Sequence, residues 1–448
     1  MRRPAQVVIS ATVFVDLLGF TVILPGLPFF ATGLGAGGAA FGLVMSAYSV
    51  AQFICAPLLG RLSDRYGRRR LVLLALAGAA LSLALTGAAD SLAWLVACRV
   101  LAGACGGSIS VAYAYVADAV PPERRTGAMA GLGAAIGLAF VIGPALGSLL
   151  APWGFAASAY AAAGLAAVNL VAAWRWLPEP GRPQPGRPQP GRPQPGRPQP
   201  GRPQPGRPQP GRAPAAASDP DRQDLDSSAP DSGREFGSGA PGSGRMRRSR
   251  AMVRIGRLPA VVPLAATRLL AMAAFVGMET TLALLGGTRY GWDTATVGLV
   301  LAAAGLSMAV VQSGPVGWAA GRWGEARVAA AGAVLMAACL PVIPLAPGWW
   351  PVAAVCLLSA GHGMLTSTVA SLMAGAGPAG RRGARLGVGE SAAAGGRIFG
   401  PLLAGLLFDL GVVLPYLAGA AMAGLALAAV LVAALALPAV RDPVEESA

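Results

Sequence analysis

Twelve long apolar stretches are the feature of this 448-residue sequence that most constrains its fold. Each one is long enough to cross the hydrocarbon core of a bilayer as a helix, which takes about 20 mostly apolar residues. A segment in lipid must satisfy its own backbone hydrogen bonds, so runs of this length favour helices over open sheets. We number them spans 1 to 12, with predicted limits 7–30, 40–59, 71–88, 93–117, 127–150, 155–176, 258–286, 295–317, 327–346, 350–373, 384–408 and 412–437.

The composition excludes several other classes of protein. Apolar residues make up 54% of the chain and charged residues only 12%, about half the charged share of a soluble domain. The sequence also offers no nucleotide-binding glycine loop, no zinc-ligand spacing and no nucleophile motif, so we predict neither enzymatic activity nor a cofactor. The net charge of +15 is spread over loops and one linker, which argues against nucleic acid as a partner.

The placement of arginine predicts the orientation. All 35 basic residues are Arg, and they collect in the loops after spans 2, 4, 8 and 10, whereas the opposite loops carry almost none. We call these two sides the Arg-rich end and the Arg-poor end. Basic loops stay in the cytoplasm, so we expect a multi-pass protein of a bacterial plasma membrane whose termini and central linker are cytoplasmic.

A linker of different composition divides the spans six and six. We predict an N-terminal bundle at 1–176, a linker at 177–257, a C-terminal bundle at 258–437 and a cytoplasmic tail at 438–448. Within the linker, residues 181–210 are six copies of Gly-Arg-Pro-Gln-Pro. Proline at two of every five positions prevents helix and sheet, so we predict a disordered tether. Arginines near its end leave a partner-binding or lipid-binding role open.

The two halves of the sequence are related to each other. A shift of 257 residues places Gly324 on Gly67 and Gly400-Pro401 on Gly143-Pro144. A duplicated six-helix unit is typical of secondary transporters. The predicted fold is therefore an all-α integral membrane protein of twelve transmembrane helices in two pseudo-symmetric six-helix bundles.

Short motifs in the first half resemble those of a known transporter family. Residues 60–69, between spans 2 and 3, resemble motif A of the major facilitator superfamily, and residues 99–103 resemble its motif B. Residues 137–147 resemble motif C of drug exporters, and residues 18–28 resemble the motif of twelve-span drug:proton antiporters. Residues 115–125 are similar to the tetracycline-exporter branch. The resemblance implies the major facilitator fold and drug export.

The resemblance also assigns roles to the residues of motifs A and C. Motif A implies a gate made by Gly60, Asp64, Arg65, Gly67, Arg68 and Asp118. In the family its Asp faces the N-terminus of span 11 and its Arg pairs with an acid at the end of span 4, which here implies Asp64 near Gly383–Leu386 and Arg65 with Asp118. Motif C implies close helix packing, and in an exporter a seal against leak, at Gly137, Gly143, Pro144 and Gly147.

Ionisable residues inside the spans are the strongest signal of a site, because each is costly in lipid unless it meets a partner or a polar cavity. We expect proton coupling and the cavity to involve Asp16, Arg99, Glu279, His362, Glu390 and Arg397. In the family, spans 1, 4, 7 and 10 line the cavity, so we expect Asp16 to carry the proton beside Arg99. Three polar residues, Gln52, Asn169 and Gln312, are predicted to join helices.

We therefore expect a proton-coupled antiporter that exports a drug-like small molecule, such as a tetracycline-like antibiotic or a secondary metabolite, by alternating access. Its partners would be that substrate, protons and the lipid bilayer, and it would function as a monomer. Two alternatives stay open at this point. One is a proton-coupled uptake symporter for a metabolite, and the other is a non-transporting membrane sensor with the linker as its output.

Overall fold

A computed structural model describes residues 3–106, 112, 115–116, 122–177, 260–377 and 381–436, and these form helices and turns without a strand among them. From span 1 to span 12 the helices are Arg3–Val22 with Leu27–Gly33, Gly38–Tyr66, Arg68–Gly87, Leu92–Cys105, Pro122–Leu150, Gly154–Trp176, Val261–Leu285, Thr294–Gln312, Glu325–Leu345, Trp350–Gly375, Arg382–Leu410 and Leu414–Ala436. Ten described stretches are long and apolar enough to cross a membrane, and one of them covers both spans 5 and 6. The helix of span 4, Leu92–Cys105, is apolar but shorter. Each of the twelve predicted spans thus contains a helix within the described residues.

Two spans are interrupted within their predicted limits, and in both cases the local sequence gives the reason. Span 1 breaks at residues 23–26, because Pro25 has no N–H to donate and its ring collides with the carbonyl four residues earlier. Span 8 ends at Gln312, and Gly314 separates it from a short helix, Pro315–Trp323. The predicted linker from residue 178 to 257 and the tail lie outside the described residues.

Exposed tryptophans mark both edges of the helical bundle. Those at the Arg-poor end are Trp94, Trp153, Trp349 and Trp350, and those at the Arg-rich end are Trp174, Trp176, Trp318 and Trp323. Each exposes 45–77% of its surface. Tryptophan is enriched where a bilayer meets water, so the two belts show how the bundle sits in a membrane.

Matching local structures in the two halves support the internal duplication. Gly67 and Gly324 each separate two consecutive helices, with φ of 104° and 88° and ψ of 145° and 144°. That conformation favours glycine, which explains why both halves have glycine there. Gln52 Nε2 donates to a carbonyl of span 4 at 2.9 Å, and Gln312 Nε2 donates to one of span 10 at 3.4 Å. With Asn169 Nδ2 donating to a carbonyl of span 1 at 2.9 Å, the prediction that these residues join helices is confirmed.

The halves pack against each other at the Arg-poor end. Spans 2 and 11 cross there, and so do spans 5 and 8. A Cβ added to Gly38 would lie 2.6 Å from a carbonyl oxygen of span 11, and one on Gly298 would lie 2.6 Å from a carbonyl oxygen of span 5. At the Arg-rich end, a Cβ on Gly60 or Gly383 would meet nothing within 4 Å. The Arg-poor end is therefore tightly closed.

A carboxylate fastens this closed end. Asp409, in the last turn of span 11, accepts hydrogen bonds from the backbone N–H groups of Gly38 at 2.6 Å and Ala39 at 2.8 Å. These groups belong to the first turn of span 2, whose own N-cap residue makes no side-chain hydrogen bond. A carboxylate at a helix N-terminus satisfies free donors and interacts favourably with the helix dipole. We call this contact the Asp409 clasp.

Candidate functional site

A pocket lies among spans 1 to 4, within the first half of the molecule. It is a small cavity of about 40 Å³ that is partly open to the surroundings. Its walls include Asp16, Phe20, Tyr48, Ser82, Thr86 and Arg99. The structure thus brings two predicted site residues, Asp16 of span 1 and Arg99 of span 4, to one pocket.

Arg99 is the least satisfied group in this pocket. Its side chain is 2% exposed, and its Nε and Nη2 have no hydrogen-bond partner in the described part of the chain. Its guanidinium carbon lies 5.7 Å from the ring centre of Phe20, which in turn stacks on Tyr48 at 4.9 Å. An arginine stays charged in proteins, and buried donors without acceptors are costly. Nε and Nη2 are therefore free, within the described residues, to donate to a further acceptor.

The hydroxyl groups of the same walls are already engaged. Ser82 Oγ donates to the carbonyl of Cys98 at 2.8 Å, and Thr86 Oγ1 donates to the carbonyl of Ser82 at 2.7 Å. Gln52 Nε2 donates a hydrogen bond to Tyr48 Oη at 3.3 Å. The charges of Asp16 and Arg99 therefore dominate the polar character of the pocket.

The predicted residues of the second half fall into two groups. Arg268 of span 7 forms an ion pair with Glu390 of span 11, and its Nη1 donates to the carbonyl of Thr366 in span 10 at 3.3 Å. Glu390 therefore has a partner on another helix. The site expected from the sequence does not include Arg268, because sequence does not show which helix faces meet.

His362 is a packed aromatic group. It is 4% exposed and stacks on Phe275 of span 7 with ring centres 4.2 Å apart and planes 11° apart. Its Nδ1 has no hydrogen-bond partner among the described residues. Glu279 and Arg397 are partly exposed on spans 7 and 11. Among the described residues of the second half, an acid of span 11 thus pairs with an arginine of span 7, and His362 packs against an aromatic ring.

Motif C lies between two other spans and packs against both. A Cβ on Gly143 would collide with the side chain of Thr21 in span 1, and a Cβ on Gly147 with the carbonyl of the next residue, Val22. On its other side, the carbonyl of Pro144 faces a glycine of span 8. Gly137 faces open space. These contacts agree with the predicted close packing at Gly143 and Gly147, the packing expected at Gly137 is wrong, and the sealing role stays a prediction.

Motif A is described only in part. Gly67 makes the turn between spans 2 and 3, and Arg68 Nη1 donates to Ser63 Oγ. The exposed Arg65 lies with its guanidinium carbon 5.4 Å from the ring centre of Tyr66. The side chain of Asp64 and all of Asp118 lie outside the described residues. Their expected contacts with span 11 and Arg65 therefore stay predictions.

One arginine of the Arg-rich end has a structural task. Arg385 is fully buried, and its Nε donates to the carbonyl of Met373 at 2.8 Å while Nη2 donates to that of Ala374 at 2.6 Å. These carbonyls end span 10, where a helix has no N–H of its own to offer them. The sequence alone shows Arg385 only as one of the arginines that follow span 10.

Comparisons with known proteins agree with this geometry. A sequence model of the Major Facilitator Superfamily matches residues 9–376 and 269–448. Tetracycline resistance protein class C of Escherichia coli is 36% identical over 170 residues, which covers 37% of this chain and 43% of that protein. Major facilitator superfamily domain-containing protein 10 of Homo sapiens is 37% identical over 185 residues, which covers 34% and 41%. The chain thus spans about two fifths of the length of these curated relatives.

Solved structures match over nearly the whole chain. The crystal structure of the human organic anion transporter MFSD10 (TETRAN) aligns with a TM-score of 0.60 and 25% identity, over 96% of this chain and 99% of that one. The nucleoside transporter NupG aligns with a TM-score of 0.69 and 10% identity, over 96% and 98%. At 10% identity, the second likeness concerns the fold alone.

Proposed function

Because the chain belongs to the major facilitator superfamily, a family of transporters rather than enzymes, we propose that it is a proton-coupled antiporter that exports a drug-like small molecule by alternating access. The observation that carries this proposal is that Asp16 and Arg99 line one pocket among spans 1 to 4. A carboxylate can exchange a proton there, and an arginine in the same pocket makes the charge of the pocket depend on that proton.

The direction of transport rests on relatives and on motif C. Several relatives are named as tetracycline or multidrug resistance proteins, which favours export. Motif C lies where span 5 meets spans 1 and 8, a place from which it would seal the path when the halves rock. If the Arg-rich end is cytoplasmic in a bacterial plasma membrane, as the positive-inside rule predicts, the described conformation is closed to the outside and takes its substrate from the cytoplasm.

We assign the roles as follows. Asp16 carries the proton, and its protonation competes with substrate binding. Arg99 tunes that exchange, while the Arg268–Glu390 ion pair, His362, Glu279 and Arg397 shape the second half of the path. Motif A would latch the Arg-rich end in the opposite conformation, the stretch 177–257 would tether the two bundles, and a monomer would suffice.

Transport by inside-out vesicles tests the proposal. With tetracycline as the probe and an imposed pH gradient, native vesicles should accumulate the drug. Asp16→Asn keeps the shape and a hydrogen-bonding group but cannot titrate, so it should reach the membrane and fail to accumulate. Asp90→Asn, at an exposed acid outside the spans, is the matched control and should behave as native. Full gradient-driven accumulation by Asp16→Asn would reject Asp16 as the proton carrier, and uptake by intact cells would favour a symporter.

A further inference from the structure

Two nitrogens of Arg99 reach no acceptor in the part of the chain that the structure describes. We propose that the pocket of spans 1 to 4 is a subsite for an organic anion, in which a carboxylate or a similar group accepts hydrogen bonds from Arg99 while an apolar body lies against the surrounding walls. This proposal rests on the proposed transport function only in calling the bound anion a substrate.

The first argument is electrostatic. Arg99 is buried and charged, and neither Nε nor Nη2 reaches an acceptor in the residues that the structure describes. These two nitrogens are adjacent corners of one planar fork, which matches the two oxygens of a carboxylate. The Phe20 ring, 5.7 Å from the guanidinium carbon, stabilises the cation on one side but accepts no hydrogen bond. An anion in the pocket supplies the missing acceptor.

The second argument concerns the rest of the pocket. Apolar side chains form most of the remaining wall, among them Leu17, Ile23, Ala79, Leu83 and Ala102. The wall hydroxyls of Ser82 and Thr86 already donate to carbonyls. A small hydrated anion such as acetate would leave this apolar surface uncovered, whereas an anion with a hydrophobic body would bury it. The pocket therefore fits an amphipathic organic anion.

Three probes of nearly equal shape separate charge from size. They are 2-naphthoate, the neutral 2-naphthamide and the cationic 2-naphthylmethylammonium, each measured by equilibrium dialysis against full-length protein in lipid nanodiscs without a pH gradient. A charge-assisted pair of hydrogen bonds is expected to favour naphthoate over naphthamide by about tenfold or more in Kd. Acetate should compete only weakly. Equal binding of naphthoate and naphthamide, or competition by acetate at naphthoate-like concentrations, would overturn the proposal.

Substitutions then locate the binding. Arg99→Gln should reduce the affinity for naphthoate to that for naphthamide, and Arg99→Lys should retain part of the preference because the charge remains. Arg289→Gln, at an exposed arginine before span 8, is the control and should change nothing. A preference that survives Arg99→Gln would contradict the assignment of the anion to Arg99.

A measurement on unmodified protein covers the case in which Arg99 variants fail to fold. Cys105 lines the pocket, whereas Cys356 lies on span 10 in the other half with a similar partial exposure. Naphthoate should slow alkylation of Cys105 and leave that of Cys356 unchanged, and the absence of protection at Cys105 would refute the subsite. Because naphthoate binding is measured at equilibrium, the binding result can still be interpreted if proton-driven export fails. If the protein exports only neutral compounds, the anion subsite is refuted but the export function is not.

Discussion

Removal of the Asp409 clasp should open the Arg-poor end. The carboxylate of Asp409 holds two backbone N–H groups of the first turn of span 2 at 2.6 and 2.8 Å, and Asp409→Ala removes both hydrogen bonds together with the charge. A carboxylate at a helix N-terminus contributes about 0.3–1 kcal/mol when exposed and up to about 2 kcal/mol when partly buried. Asp409 is exposed while Gly38 is buried, so screening by solvent limits the total to about 1–2 kcal/mol.

That free energy changes a ratio of conformations. A loss of about 1–2 kcal/mol lowers the closed-to-open ratio at the Arg-poor end roughly 5- to 30-fold. Asp409→Asn keeps a carbonyl acceptor without the charge, so its effect should lie between those of native protein and Asp409→Ala. Spin labels at Thr32 and Leu410, exposed positions on either side of the contact, would report the closed population as the short-distance fraction in a double electron–electron resonance experiment.

The matched control is another capping carboxylate at the same end. Asp293 Oδ1 accepts from the backbone N–H of Thr296 at 2.8 Å and from its hydroxyl at 2.6 Å, all within one half of the molecule. Asp293→Ala should therefore lower stability without changing the distance distribution. An unchanged distribution in Asp409→Ala, or an equal change in Asp293→Ala, would refute the clasp as a fastener between the halves.

Two further predictions concern packing and pH. Gly42→Ala places a methyl group against the carbonyl oxygen of Pro401, so it should destabilise the closed end by about 1–3 kcal/mol. The control, Gly164→Ala, meets nothing within 4 Å and should leave the thermal unfolding temperature and the spin-label distances unchanged. Equal effects of the two substitutions would argue against close packing. Hydrogen bonds from Thr296 hold the pKa of Asp293 below its usual value. This group therefore contributes stability that is present above its unfolded pKa of about 3.9 and is lost as pH falls through the lower folded pKa. The acid limb of a stability-against-pH curve should be shallower in Asp293→Asn than in native protein, and an identical limb would contradict the assignment.

The helices and their order were predictable, whereas the pairing of side chains between helices was not. The thickness of a bilayer fixes the length of an apolar span, and the duplicated turn at Gly67 and Gly324 follows from the need for glycine at positive φ. The ion pair of Arg268 with Glu390 depends on how spans 7 and 11 are rotated about their axes, which apolar composition leaves undetermined. In the same way, nothing in the sequence shows that Nε and Nη2 of Arg99 reach no acceptor among the described residues.

The glycine crossings between spans 2 and 11 have a kinetic consequence. At Gly38, Gly42 and Gly405 backbone faces backbone. These residues insert no side chain into the partner helix, so none has to be withdrawn when the two halves separate. Two discrete polar contacts also hold this crossing, the Asp409 clasp and the hydrogen bond from Ser46 Oγ to the carbonyl of Ile398 at 2.8 Å. The opening rate should therefore rise when either of these contacts is removed.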